Sequence, residues 1–561
     1  MATQSTTDHA SSGQAQRPTA AAQRNDGESG WWRRASIYQV YPRSFQDSNG
    51  DGVGDLRGIQ SRLAYCAELG IDAVWLSPIF PSPMADFGYD VADYTAISDL
   101  FGTMADFDAL LAEVKRLGLK LLLDFVPNHT SDQHAWFRES RRHRGSPKRA
   151  WYLWRDPAPG GGPPNNWLSH FGGSAWELDA ATGQYYYHSF LTSQPDLNWR
   201  HPDVVAAMHE VMRFWFRRGV DGFRIDVLWL LIKDDQWRNN PPNPAYQNGM
   251  PLFNSQLPQY TADRPELEAV VEGLRAVADE FAERVLIGEI YLPLERLMAY
   301  YGQDLRGVHM PFNFLLLQCR WNAREIAALI ERYEALLPPS AWPNWVLGNH
   351  DRPRVASRVG AAQSRVAALL LLSLRGTPTL YYGDELGMHD VVIPAARLRD
   401  PLELNVPGKG LGRDPCRTPM QWDGSVHGGF STREPWLPLA EDAPEVNVAR
   451  ESEDANSLLR LYRRLLALRR STEALTVGEY LPVAATGDIL AFVRRTGAQR
   501  ILVVLNLGSQ PGPLPSASAS WQGSLLLTTC LDRDAAALTG YALRANEGAL
   551  FELTSEDRQT P

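Results

Sequence analysis

The sequence is poor in cysteine, carries no long apolar run and has no surplus of positive charge. Its four cysteines, Cys66, Cys319, Cys416 and Cys530, stand far apart with no CxxC spacing. Such spacing suggests neither a disulfide framework nor a zinc site, and buried free thiols are expected. No run of about 18 apolar residues occurs, so no membrane-spanning helix is expected. The first residues lack the charged start and apolar stretch of a secretory signal, which predicts a cytoplasmic location. A formal net charge of -10 argues against nucleic acid as a partner. A neutral, polar small molecule fits better.

What the sequence does have is globular composition, with 44% apolar and 21% charged residues. The 18 Trp and 20 Tyr offer flat faces suited to sugar rings, although most aromatic residues in any protein are core. Residues 1–30 are rich in Ser, Thr, Ala, Gln and Gly and predict a disordered tail. From Trp31 onward, apolar strand-like runs alternate with amphipathic stretches. Eight such runs fall at 36–41, 73–78, 120–126, 222–227, 285–290, 310–314, 345–349 and 377–382. Helical periodicity marks 59–69, 104–117, 204–217 and 265–282 between them. The pattern predicts an α/β protein, a (β/α)8 TIM barrel built from 31–130 and 199–472. The stretch 131–198, after strand three, is too long for one crossover and predicts an inserted subdomain. A long loop at 386–423 follows strand eight, and a helix near 458–468 completes the barrel. Short alternating runs at 489–493, 501–505 and 524–528 predict a C-terminal antiparallel β domain over 473–561.

Barrel enzymes carry their chemistry where strands end. Asp226 follows Gly222-Phe223-Arg224-Ile225, Glu289 follows Leu286-Ile287-Gly288, and Asp351 follows Gly348-Asn349-His350. These acids belong to strands four, five and seven. Carboxyl groups on adjacent barrel strands can stand about 5 Å apart, which lets one attack an anomeric carbon while the other protonates the leaving oxygen. The third can stabilise charge. A single strand-end carboxylate is more often a salt bridge or helix cap, but three at one barrel mouth weaken that reading. Arg224 lies two residues before Asp226, so strand alternation points both to one face. A guanidinium there is expected to hold Asp226 ionised, while crowding and desolvation raise Glu289. His129 and His350, after strands three and seven, are neutral-capable donors for sugar hydroxyls.

These motifs resemble those of the α-amylase superfamily, glycoside hydrolase family 13, within its α-glucosidase and oligo-1,6-glucosidase branch. The resemblance rests on Asp124-Phe125-Val126-Pro127-Asn128-His129, Gly222-Phe223-Arg224-Ile225-Asp226, Gly288-Glu289 and Asn349-His350-Asp351, in the family's order. Gln194-Pro195-Asp196-Leu197-Asn198 resembles its additional motif. The resemblance implies Asp226 as nucleophile, Glu289 as acid/base and Asp351 as transition-state stabiliser. It implies that Arg224, His129 and His350 bind the first glucose, with Asp86 and Tyr89 of Ala85-Asp86-Phe87-Gly88-Tyr89-Asp90 and with Arg413. It therefore implies a retaining, exo-acting α-glucosidase that releases glucose from short α-glucosides such as maltose, isomaltose and sucrose, with transglucosylation. Val227, directly after the nucleophile, implies acceptance of α-1,6 bonds.

The stretch Asp47-x-Asn49-x-Asp51-Gly52-Val53-Gly54-Asp55 resembles the start of an EF-hand loop, with oxygen ligands at alternate positions around a glycine turn. It is no EF-hand, because Gly58 stands at the twelfth position. Asp47, Asn49, Asp51, the Val53 carbonyl and Asp55 are the candidate ligands of one structural Ca2+ or Mg2+. The alternative is a metal-free Asx turn. No organic cofactor is expected, and a monomer or small homo-oligomer is. The rival functions are a glucosyltransferase, a trehalose synthase or a sucrose isomerase of the same family, and a non-catalytic relative like amino-acid transporter heavy chains. The mostly apolar 315–320 lacks an Arg/Asp-rich isomerase-like motif, and the three acids oppose a non-catalytic role.

Overall fold

The computed structural model describes residues 30–533 and 535–554, so the expected N-terminal tail lies, but for Gly30, outside the described residues. All eight apolar runs are strands: β1 (Ile37–Val40), β2 (Ala73–Leu76), β3 (Lys120–Phe125), β4 (Gly222–Ile225), β5 (Val285–Ile290), β6 (Met310–Asn313), β7 (Asn344–Val346) and β8 (Thr377–Tyr381). They close into a barrel in chain order, with β1 paired to both β2 and β8 and every neighbour parallel. Side chains fill the inside and helices cover the outside, so nearly every strand position is buried. That is why these strands read as apolar runs and not as alternations.

Helices α1 (Leu56–Leu69), α2 (Met104–Arg116), α3 (Pro202–Arg218), α4 (Leu267–Asp279), α5 (Ala323–Leu336), α6 (Ala361–Ser373) and α7 (Leu458–Ser471) form the outer layer. Their ends are chemically marked. Asp55 caps α1 by accepting from Gly58 N, and Thr103 and Asp106 form a reciprocal capping box on α2. Gly70 and Gly219 end α1 and α3 in the left-handed conformation, at φ 101° and 106°. The crossover from β5 to β6 has short helical turns at Leu294–Leu297, Met298–Tyr301 and Gln303–Leu305.

Between β3 and α3 lies a small antiparallel sheet in the order Trp154–Arg155, Gln184–Tyr187, Trp176–Asp179. After α7 comes a five-stranded antiparallel sheet, in the order Glu479–Thr486, Ile489–Thr496, Gln499–Asn506, Gly548–Leu553 and Gly523–Thr528. It packs on α5 and α6. No helix of the described residues is long and apolar enough to cross a membrane.

Candidate active site

Register sets the floor of the site. Asp124 on β3 pairs with Arg224 on β4, which pairs with Ile287 on β5. Laterally paired residues point to the same side of a sheet, and here that side is the barrel interior. Arg224 Nη1 donates to Asp124 Oδ1 at 2.9 Å and to Asp226 Oδ1 at 2.7 Å, while Nη2 stands 2.7 Å from Glu289 Oε2. One buried guanidinium thus serves three carboxyl groups. Its face lies 5.2 Å from the Trp75 ring, and Trp75 Nε1 donates to Asp124 Oδ2 at 3.2 Å.

Beyond β4 the chain turns sharply. Val227 adopts φ 37° and ψ 44°, a left-handed conformation that costs a β-branched residue strain. The turn aims Val227 N–H at Glu289 Oε2, 2.9 Å away. Gly288 permits the approach, because a Cβ there would stand 2.7 Å from Leu228 Cδ2.

Neutral histidines flank the acids. His350 Nδ1 lies 2.7 Å from the Gln39 amide nitrogen, which can only donate, so the network assigns the proton to Nε2. Nε2 then donates to Tyr89 OH at 2.7 Å, and Tyr89 OH donates to Asp124 Oδ2 at 3.0 Å. His129 Nε2 is 3.0 Å from the Tyr89 carbonyl oxygen and 3.2 Å from Gln194 Nε2, and Nδ1 is 3.1 Å from Asn128 Nδ2. Burial lowers the pKa of both rings.

The acids divide by environment. Burial raises Asp226 well above the usual carboxylate range, against the pull of Arg224, and burial raises Glu289 too. Asp124 is pushed up to about 6 by the same cause. The expectation that Arg224 holds Asp226 ionised meets an opposing effect, because one guanidinium shared among three desolvated carboxyls does not offset their burial. Asp351 differs. Burial works to raise it, but His350, Arg417 and Arg413 hold its carboxyl well below the usual range. Since His350 is neutral, the two guanidiniums supply the charge, Arg417 Nη2 at 2.9 Å and Arg413 Nη1 at 3.5 Å from Asp351 Oδ1.

At the other end of the site, Arg413 Nη2 donates to Asp86 Oδ1 at 2.7 Å, and Gln194 Nε2 donates to Asp86 Oδ2 at 3.1 Å. A cavity of about 390 Å³ joins all these parts, lined by Asp86, Tyr89, His129, Asp226, Glu289, His350, Asp351 and Arg413. Arg224 is the exception among the expected site residues. It lies beneath the carboxyls and does not line the cavity. Sequence reasoning gave no role to Asp124, Gln194, Asp400 or Arg417. The strand parity that placed Arg224 would also have found Asp124, whereas Asp400 sits in an irregular loop without periodicity.

The Asp47–Asp55 loop stands apart from this cavity. Asp47 Oδ1 accepts from Asn49 N and Gly50 N, and Oδ2 from Gly52 N and Ser431 Oγ. Asp51 accepts from Val53 N and Asn49 Nδ2, and Asp55 from Ser48 N, Ser48 Oγ and Gly58 N. A carboxylate offers about four lone-pair sites, so Asp47 is saturated while Asp51 and Asp55 keep capacity. Among the described residues no group of three or more His, Cys, Asp or Glu side chains is gathered for a metal ion. The fit to an ion is therefore partial.

Residues 39–478 match the alpha amylase catalytic domain. The chain is 43% identical over 496 residues to a probable alpha-glucosidase of Rhizobium meliloti, covering 86% of this chain and 90% of that relative. It is 37% identical over 559 residues to an oligo-1,6-glucosidase of Halalkalibacterium halodurans, covering 93% of this chain and 98% of the relative. Among solved structures, an alpha-glucosyl transfer enzyme superposes with a TM-score of 0.87 at 40% identity, covering 94% of this chain and 100% of its own. The trehalulose synthase of Pseudomonas mesoacidophila superposes with a TM-score of 0.85 at 34% identity, covering 93% and 99%. With a closed eight-stranded barrel and three acids gathered in one cavity, the chain belongs to the α-amylase family, glycoside hydrolase family 13, as an enzyme of the α-glucosidase type.

Proposed function

We propose that the protein is a retaining, exo-acting α-glucosidase. Asp226 attacks the anomeric carbon of a bound glucosyl unit while Glu289 protonates the glycosidic oxygen, and the leaving group departs. Glu289 then takes a proton from water, which displaces Asp226 and releases α-glucose. Asp351, held ionised by Arg413 and Arg417, stabilises the positive charge on the ring in both transition states. Tyr89, His129 and His350 hold hydroxyls of the first glucose, and Arg224 acts from beneath through the carboxyls. What carries the exo reading is the Asp86–Arg413 pair in the same cavity as the three acids. A pair that binds outer hydroxyls of the terminal glucose leaves no room for a preceding sugar.

The test is a maltooligosaccharide capped at O4 of its non-reducing end. The enzyme should cleave the uncapped chain and leave the capped one untouched, because a buried polar site rejects a ligand that strands its hydrogen-bonding groups. Comparable cleavage of both would mean an open cleft.

Two finer proposals accompany this one. Part of the glucosyl unit passes to sugar acceptors instead of water, and in support, the similar structures include a glucosyl transfer enzyme and a trehalulose synthase. Maltose, isomaltose and sucrose are the proposed substrates, with Val227 beside Asp226 favouring α-1,6 bonds. Separately, the Asp47–Asp55 loop takes one Ca2+ or Mg2+. Its all-oxygen donor set supports this, and Asp47 would exchange one hydrogen bond for the ion.

A further inference from the structure

Arg413 is held by more than Asp86. Asp400, fully buried, accepts from Arg413 N at 2.6 Å and takes Nε at 3.0 and 3.1 Å and Nη2 at 2.6 Å on its carboxylate. Asp400 is itself anchored. Its backbone N–H donates to Asp414 Oδ2 at 2.9 Å, and its Oδ1 accepts from Leu402 N at 3.2 Å, where it caps the short helix Pro401–Asn405. The carboxylate thus pins the base of the loop that contributes Leu402, Gly410, Leu411 and Gly412 to the cavity.

A guanidinium carries five N–H groups in a fixed plane. Nε is committed to Asp400, and Nη2 is shared between Asp400 and Asp86 at 2.6 and 2.7 Å. Nη1 has only the 3.5 Å approach to Asp351 Oδ1. It is therefore the group with donor capacity to spare, at the edge that faces Asp351.

We infer that Asp400 is a positioning residue for donor-sugar recognition: it fixes the plane of Arg413 so that Nη1 is presented to an outer hydroxyl of the terminal glucose. This rests on the exo-acting reading of the Asp86–Arg413 end. It adds a charge that touches no substrate yet sets which nitrogen does. Without it, Arg413 would keep its bond to Asp86 but could rotate about it.

The test pairs the variant Asp400→Asn with a change in the substrate. With p-nitrophenyl α-glucoside and its 4-deoxy analogue, the wild-type enzyme should lose about 10- to 100-fold in kcat/KM when the hydroxyl is removed, as expected for a hydrogen bond to a charged group. In Asp400→Asn the parent substrate should already react about 10-fold or more slowly, mainly through KM, and removing the hydroxyl should then cost only a few-fold. Asp400→Glu, which keeps the charge, should restore part of the discrimination, and it carries the same comparison if Asp400→Asn does not fold. A general loosening of the protein would slow both substrates equally. Equal fold-losses in wild type and variants would overturn the inference. A wild type indifferent to the deoxy substitution would instead sink the exo-acting reading beneath it.

Discussion

The central residues are charged in a way that works against the fold. Asp124, Asp226 and Glu289 share Arg224, and burial raises all three carboxyls. A buried acid whose folded pKa is raised binds its proton more tightly folded than unfolded. Its contribution to stability is present below the ordinary carboxylate pKa and is lost as pH rises through the raised value. Once the pH is high enough to ionise the cluster, its buried charge costs stability. Asp226→Asn should abolish turnover and yet melt higher than wild type on the alkaline side of the raised pKa, where the wild-type carboxylate is charged and buried. The advantage should shrink as pH falls through the raised values, where the wild-type cluster takes up its proton. Calorimetry from acid to alkaline pH checks it, and a stability difference that does not grow in the variant's favour with rising pH would count against it. Glu289→Gln should still accept glucose from an activated fluoroglucoside, and mass spectrometry should place the adduct on Asp226.

At the scale of the element, function sits on loops and strand ends while strands supply alignment. The loop after β1 is the case where the chemistry of an element stands open to measurement. If Asp47–Asp55 takes a divalent ion, removing the ion destabilises only the folded state, so a chelator should lower the melting temperature reversibly while turnover well below that temperature continues. Protein purified with Ca2+ and Mg2+ present that contains no bound metal, and that melts identically with chelator, would leave the hydrogen-bonded turn as the whole explanation. Asp55 gives the loop a second duty, since the same carboxylate caps α1.

The whole molecule is held together at a seam of buried cations. Arg494, on the C-terminal strand Ile489–Thr496, donates to the carbonyl oxygens of Ser373, Leu475 and Gly478, the first of them at the end of α6. Arg469, on α7, bonds Leu372, Leu374, Leu475 and Gly376. Burial lowers the pKa of both guanidiniums, and carbonyl dipoles stand where carboxylates usually would. Arg494→Leu strands the buried carbonyls of Ser373 and Gly478, at about 1–3 kcal/mol each, while Leu475 keeps Arg469, so stability should fall by about 2 kcal/mol or more. Activity per folded molecule should be unchanged, because neither arginine lines the cavity. Urea unfolding with active-site titration measures both, and an unaltered transition would show that the sheet is docked by apolar contact alone.

The barrel was legible because its cause is local. A strand covered on both faces must be apolar along its length, a helix on its outside must repeat at 3.6 residues, and both periods are written in consecutive residues. The same logic placed Asp226, Glu289 and Asp351 at strand ends and aligned Arg224 with Asp226. Asp86 and Arg413, 327 positions apart, were paired only through resemblance to a known family. Asp400, 13 positions before Arg413 but in a loop of no period, was not found at all. The direction of the Asp226 pKa was also beyond reach. One arginine nearby argues for a low value, but the number of carboxyls sharing it, and the water excluded around them, exist only once distant segments have packed. Periodicity encodes which side of an element faces water. The distances between charges on different loops are set by the closed chain path, and Coulomb and desolvation energies depend on those distances.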